Sequence, residues 1–459
     1  MATRVILVRH GESTYNAQRR VQGHCDESTL TEAGRIAARQ VGAALHGISF
    51  DAIYSSPLRR AKQTADLILE TLGDEAYADA LHVTEKLLEI SLPLWEGLTF
   101  KEVEEKFPDG YRDWRDRPHK LRMKIPTPEG PVDFFPVPSL FEQARQFWQD
   151  VLHRHSDSTI LVVAHSGINR TLIYTALGLA PDRYTCLHVS NCGISVLNFT
   201  GGLGQPVQLE SLNLTSPIGE PLPRLRPKNR GPRFLLVRHG ETDWNRDQRF
   251  QGQIDVPLND TGRQQAEQCA EFLKSFSIDR VITSPMLRPK QTAEAIAAHH
   301  ISVKLELLDG LCEISHGLWE GKLEEEIEQA YPGELRRWKQ SPETVQMPDG
   351  ENLQQVWERA IATWNAILAS ITLPDDIPDD VSVPPVTVVV VAHDAINKAI
   401  LCHLVGWGPE HFWKFKQGNG SVTVIDYPRG VEGTPLIQAM NITSFVSGGV
   451  LDQTAAGAL

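Results

Sequence analysis

The sequence predicts an α/β protein of two tandem three-layer αβα domains, each a mostly parallel sheet flanked by helices. Two observations carry this. First, the chain repeats itself: residues 5–16 read VILVRHGESTYN and residues 234–245 read FLLVRHGETDWN. Further matches follow in the same order at near-constant spacing. Ser55-Ser56-Pro57 with Arg60 pairs with Thr283-Ser284-Pro285 with Arg288, Glu89 with Glu313, Trp95-Glu96-Gly97 with Trp319-Glu320-Gly321, and Val162-Val163-Ala164-His165 with Val390-Val391-Ala392-His393. A repeat this long means duplicated domains and not a solenoid. Second, short apolar or β-branched runs alternate with helical patterns in each copy, the signature of strands buried between helix layers.

Taken in order, residues 4–8 read as the first strand and 31–45 as a helix with Thr31 as its N-cap. Residues 52–54 form a second strand and 58–72 a second helix, 140–154 a third helix, and 159–163 a third strand. In the second copy, 234–237, 281–282 and 386–391 take the strand places. The stretch 217–232, PIGEPLPRLRPKNRGP, is proline-rich and reads as a semi-stiff linker. This predicts domains over 1–216 and 233–445, with a frayed tail at 446–459. The first copy is longer and more basic around 109–138, and the second carries an acidic, proline-rich stretch at 373–385. Trp114, Trp148, Trp338 and Trp364 fall at helical positions and read as core.

Composition narrows the function. The chain has 459 residues, 41% hydrophobic and 22% charged, an ordinary globular balance. A net charge of -13 with no long basic run argues against nucleic acid or an anionic membrane as a partner. The longest apolar runs, such as 386–392, fall far short of the ~18 residues that span a bilayer. The N-terminus lacks a basic region followed by an apolar stretch, so a cytoplasmic protein is expected. Six scattered cysteines fit neither a disulfide framework nor a zinc site and are read as reduced.

In such sheets ligands bind at the carboxyl ends of the strands. There the first copy places Arg9-His10-Gly11-Glu12, Ser55-Ser56-Pro57 with Arg60, and His165. The second places Arg238-His239-Gly240-Glu241, Arg288 and His393. With Glu89 or Glu313 this makes two histidines, two arginines and one acid per copy. Arginine forks suit phosphate oxygens. A neutral imidazole beside fixed cations is a good nucleophile, and a glutamate can protonate a departing alkoxide. Two histidines and a glutamate could also hold zinc, but neighbouring guanidinium groups argue against a metal. Glycine after the first histidine is expected to let the backbone approach a ligand.

These residues resemble a family. The strings RHGES and RHGET look like the signature of the histidine phosphatase superfamily, which includes the cofactor-dependent phosphoglycerate mutases. The resemblance implies a phosphoglycerate mutase-like fold, with His10 and His239 as phosphorylated nucleophiles and Glu89 and Glu313 as proton donors. It implies a phosphate pocket of Arg9, Asn16, Arg60 and His165 in one copy, and of Arg238, Asn245, Arg288 and His393 in the other. Gln22-Gly23 and Gln251-Gly252 match the phosphatase branch, and both spacers from the glutamate to the second histidine look short for a mutase cap. The tandem layout and residues 190–197 resemble the 2-carboxyarabinitol-1-phosphatase-like proteins of plants and cyanobacteria. Copy two follows the general bacterial pattern of the family more closely, and copy one departs from it: Pro93 stands where copy two has Gly317, and no pair like Gly350-Glu351 precedes its third helix.

The expected activity is therefore a metal-independent, cofactor-free phosphomonoesterase. It would act through phosphohistidine on a small phosphorylated acid or sugar acid, 2-carboxyarabinitol 1-phosphate-like or phosphoserine-like. A phosphoglycerate mutase, or a phosphate-binding regulatory module without turnover, are the alternatives. The insertion residues Arg112, Arg115, Arg117, His119, Lys120, Arg122 and Lys124 would turn copy one toward substrates with a carboxylate or second phosphate, were the insertion to fold over the crevice.

Overall fold

The computed structural model describes residues 3–73, 77, 80–226, 229–300, 302–372 and 384–455. The chain divides into two compact units, Met1–Pro221 and Leu222–Leu459.

In the first unit the strands are β1 (Thr3–Arg9), β2 (Ala52–Ser55), β3 (Leu81–Val83), β4 (Met123–Ile125), β5 (Val132–Phe134), β6 (Thr159–Ala164), β7 (Ile194–Phe199) and β8 (Val207–Leu214). The helices are α1 (Thr14–Ala17), α2 (Glu32–Ala44), α3 (Arg59–Leu72), α4 (Phe100–Lys106), α5 (Pro108–Asp116), α6 (Pro136–Arg154) and α7 (Ser166–Leu177). The sheet runs β8-β7-β1-β6-β2-β3. β1, β6, β2 and β3 are parallel, while β7 and β8 join antiparallel. Val5–Val8 and Ile160–Ala164 lose all contact with solvent because helices cover both faces. α2 packs on α3 and α6 on α7.

The second unit repeats the plan with β9 (Arg233–Arg238), α8 (Asp243–Arg246), α9 (Asp260–Leu273), β10 (Arg280–Thr283), α10 (Leu287–Ala298), β11 (Leu305–Leu307), α11 (Glu324–Ala330), α12 (Glu334–Gln340), α13 (Leu353–Ala369), β12 (Thr387–Ala392), α14 (Asp394–Leu404), β13 (Val422–Asp426), β14 (Leu436–Ile442) and α15 (Ser444–Ser447). Its order is β11-β10-β12-β9-β13-β14. In both units the antiparallel pair carries a register shift at an asparagine in left-handed conformation, Asn213 (φ 52) and Asn441 (φ 57). Such a bulge re-aims a side chain. The Asn213 and Asn441 amide oxygens accept from the Ser190 and Gly418 backbone N–H at 2.7 Å, fixing the loops that run beneath each histidine.

Thr31 caps α2 by accepting from Gly34 N–H. Elsewhere the structure corrects the reading. β3, β7 and β8 and the β4–β5 hairpin stand where no strand is read, and α6 begins at Pro136 because proline is at home in a first turn. The end of the chain is not frayed through residue 455: Asp452 Oδ1 accepts from Thr454, whose Oγ1 accepts from Asn419 N–H at 3.1 Å. The stretch 217–232 is not wholly a free linker either. Leu222 is buried, Arg230 N–H donates to Pro428 O, and Tyr427 N–H to Pro232 O. The acidic stretch 373–385 lies outside the described residues apart from its last two.

Trp148, Trp338 and Trp364 are fully buried, with Trp148 donating to Leu172 O and Trp364 to Tyr427 Oη. Trp114 is not core: it lines the crevice described below. The basic insertion forms α5 and the hairpin. Its Arg112, Arg115, Arg117 and Arg122 pair at the surface with Asp109, Asp116, Asp113 and Asp133, and none of its basic residues lines that crevice. Among the described residues no helix is long and apolar enough to cross a membrane.

Candidate active sites

β1 delivers Arg9 and His10 to the carboxyl edge of the sheet, α3 delivers Arg60, and the turn from β6 into α7 delivers His165. The His10 and His165 rings stand edge to face with centroids 5.2 Å apart. His10 Nδ1–H donates to the Gly11 carbonyl at 2.7 Å. A carbonyl only accepts, so this bond assigns the tautomer and leaves the lone pair on Nε2. Burial, Arg60 and Arg9 together hold His10 well below the usual histidine range, so the ring is neutral. His165 is depressed too, by burial first and then Arg60 and His10. Its Nε2 meets Ser56 Oγ at 2.8 Å.

Three buried nitrogens here have no partner among the described residues: Arg9 Nε, Arg60 Nε and His165 Nδ1. Buried polar groups are rarely left so. The remaining arms are fixed, Arg9 Nη1 to Val189 O and Arg60 Nη1 and Nη2 to Cys25 O and Gly23 O, each at 2.9 Å. The cluster is thus a rigid set of cationic and polar donors sized for an oxyanion. Asn16 spends its amide oxygen on Ser13 and on Asn191 Nδ2, leaving its amide nitrogen to the crevice it lines.

Glu89 reaches the same crevice from the loop after β3. Its Oε1 accepts from Ile90 and Ile168 N–H at 2.8 and 3.1 Å, its Oε2 from Gly167 N–H at 3.1 Å. The last two donors open α7, whose positive end suits a carboxylate. His24 Nε2–H to Glu89 O, and Gln143 Nε2 to Leu88 O, hold the loop at 2.8 Å each. The crevice has a volume of about 300 Å³, the small end for a metabolite, and Trp114 and Tyr184 supply apolar wall.

The second unit rebuilds this set. His239 Nδ1–H donates to Gly240 O at 2.7 Å and Arg288 Nε–H donates to His239 Nε2 at 3.3 Å, so Nε2 again carries the lone pair. His239 and His393, with centroids 5.3 Å apart, are both held well below the usual range, by burial first and then Arg288. Ser284 Oγ serves His393 at 3.0 Å. Asn245 holds Asn419 Nδ2 as Asn16 holds Asn191. Glu313 is buried, which raises it above the usual carboxylate range; Arg288 opposes this and Asp394 adds to it. Asp394, in the place of Ser166, lies 3.7 Å from Arg238 and 2.6 Å from Lys398 Nζ.

The chain matches the family described as the histidine phosphatase superfamily (branch 1) twice, over residues 5–212 and 234–443. It is a member of that superfamily. The 2-carboxy-D-arabinitol-1-phosphatase of Triticum aestivum is 32% identical over 450 residues, covering 96% of this chain and 86% of its own. Phosphoserine phosphatase 1 of Hydrogenobacter thermophilus is 34% identical over 220 residues, 46% of this chain and 92% of its own. The solved structure of Bacillus stearothermophilus YhfR is 27% identical, covers 47% of this chain and all of its own, and superposes with a TM-score of 0.42. This histidine phosphatase is accordingly a phosphoric monoester hydrolase.

The glycine after each histidine has a packing role that the sequence reading did not name. A Cβ on Gly11 would stand 2.4 Å from Gly34 O, and one on Gly34 only 2.1 Å from Glu12 O. Gly11 therefore serves the approach of the histidine loop to the start of α2. Several supporting residues escaped the sequence reading: Thr64 and Thr292, which accept from Gly11 and Gly240 N–H, the loop asparagines Asn191 and Asn419 as partners of the site, and Arg170. Arg359, whose guanidinium gathers the carbonyls of Gly310, Cys312 and Glu313, also escaped it. The only signal for most of them is recurrence at matched positions in the two copies. Among the described residues no group of three or more His, Cys, Asp or Glu is placed to hold a metal ion.

Proposed function

We propose that each unit is a metal-independent phosphomonoesterase working through a phosphohistidine on a small phosphorylated acid or sugar acid. The supporting observation is the tautomer of His10 and His239: neutral, with Nδ1–H tied to a carbonyl and the lone pair left on Nε2, which in His239 faces the buried Arg288 Nε. In the first step Nε2 attacks phosphorus and the P–O bond to the alkoxide breaks. Protonated Glu89 or Glu313 gives its proton to that oxygen. In the second step water attacks the phosphohistidine, the carboxylate takes the water proton, and the P–N bond breaks to restore the imidazole. Arg9, Arg60 and His165, or Arg238, Arg288 and His393, hold the charge on the phosphoryl oxygens. The relatives named for 2-carboxy-D-arabinitol-1-phosphate and phosphoserine hydrolysis support a phosphorylated acid as substrate.

The test is phosphate release from a panel of phosphorylated acids, sugars and phosphoserine, with a chelator present, by the full chain and its His10→Ala and His239→Ala variants. Each single variant is expected to keep one unit's turnover and the double variant to lose all of it. Loss of activity on chelation, restored by zinc or magnesium, would contradict the proposal. Transfer of the phosphate between hydroxyls without release would make the chain a mutase.

A further inference from the structure

Arg170 lies on α7, one turn beyond Ser166, and lines the first unit's crevice. The chemistry above does not use it. Its Nη1 donates to Tyr184 O at 3.3 Å and Nη2 reaches Ser166 Oγ at 3.5 Å, while its guanidinium rests 4.8 Å from the Tyr184 ring centroid. That arrangement fixes the plane of the group and leaves its Nε buried without a partner. No carboxylate pairs with Arg170 among the described residues. Arg19, exposed at the rim in a left-handed turn (φ 55), lines the same crevice.

The second unit differs at each of these places. Gln248, in the same left-handed turn (φ 56), stands where the first unit has Arg19. Lys398 stands where it has Arg170, but its ammonium is turned inward, 2.6 Å from Asp394 and 4.9 and 4.6 Å from the Phe412 and Trp413 rings. Asp394 replaces the neutral Ser166.

The charges then differ in a way a substrate can read. Around a bound phosphate the first unit sets three positive charges, on Arg9, Arg60 and Arg170. The second sets Arg238, Arg288 and Lys398 there but offsets one of them with Asp394, so it holds one net positive charge fewer. We infer that the first unit carries a carboxylate subsite, built on Arg170 with Arg19 at its rim, and that the second unit cancels the matching position with Asp394. The first unit thereby selects phosphate esters of acids, and the second accepts neutral phosphate esters as well. This rests on the phosphatase reading of both crevices.

The test compares 3-phosphoglycerate with glycerol 3-phosphate, which differ in whether a carboxylate is present. The full chain carrying His239→Ala reports the first unit, and the chain carrying His10→Ala the second. The ratio of kcat/KM for the acid over the neutral ester is expected to be higher in the first. Arg170→Gln in the His239→Ala chain should lower that ratio about ten-fold or more, the scale of a lost charge-assisted pair. Arg19→Gln, on the exposed rim where folding is not at risk, should lower it about three-fold, as befits a solvated charge. A ratio unmoved by Arg170→Gln while both esters are still hydrolysed overturns the subsite and leaves the phosphatase reading standing. Should Arg170→Gln fail to fold, an unmoved ratio in Arg19→Gln overturns it instead. No release from either ester by the His239→Ala chain overturns both.

Discussion

A histidine attacks phosphorus only while one ring nitrogen keeps its lone pair, and here the backbone decides which. The Gly11 and Gly240 carbonyls accept a hydrogen bond from Nδ1–H, and burial, joined by the charge of arginines held by backbone carbonyls, keeps the ring neutral. As His239 lies well below the usual range, turnover by the second unit should show no loss as pH falls through the ordinary histidine range. The basic limb belongs to Glu313, which must be protonated in the first step. Its carboxyl is raised by burial and by Asp394, so protonation survives to higher pH than for a free glutamate. Asp394→Asn removes a raising influence. In the His10→Ala chain it should move the basic limb of kcat/KM for an alkyl phosphate to lower pH; a limb that stays put or moves up would contradict the assignment. The candidate residues that the structure brings together were legible because Arg, His, Glu and His recur in register in a repeated motif. The roles of Ser56, Asn191 and Thr64 were not, because each acts only through hydrogen bonds and its type is common at turns.

At the scale of elements, the nucleophile's position depends on how closely the loop after β1 meets the start of α2. Gly11 and Gly34 face each other with no room for a side chain on either, as do Gly240 and Gly262. Gly34→Ala would place a Cβ 2.1 Å from a backbone oxygen that cannot swing away. Overpacking of this kind costs about 1–3 kcal/mol. We expect a lower melting temperature and reduced turnover in the His239→Ala chain, checked by calorimetry and by phosphate release. Wild-type values in both would show that the contact is dispensable. Helices α2 and α3 and strands β1, β2 and β6 were legible from capping residues and continuous apolar runs. β7 and β8 were missed: both mix polar residues with apolar ones, and β8 is broken by the left-handed Asn213, so neither shows the continuous apolar run that marks β1, β2 and β6. Trp114 misled for a related reason. Helical spacing shows where a side chain points around its own axis, and α5 turns this one toward the crevice.

At the scale of the whole molecule, duplication has given two sites with the same candidate reacting groups and different surroundings. Asp394 and Lys398 stand against Ser166 and Arg170, and Arg359, which grips Glu351 and the Glu313 loop, stands against Gln143. The motif repeat made the duplication plain in the sequence. The divergence was not, because the insertion's abundant arginines drew attention from two residues nearer the reacting groups. The central claim is that both units pass through a phosphohistidine whose hydrolysis needs the glutamate. An aryl phosphate leaves as a weakly basic phenolate and hardly needs protonation, whereas the second step still needs its base, worth typically ~10²–10⁴-fold. The direct measurement is rapid-quench analysis of the full chain carrying Glu89→Gln and Glu313→Gln, mixed with an aryl phosphate. The account predicts a burst of phenol approaching two equivalents per chain, followed by a stall with phosphate trapped on histidine. Equal slowing of aryl and alkyl phosphates, with no burst and no trapped phosphohistidine, would contradict it.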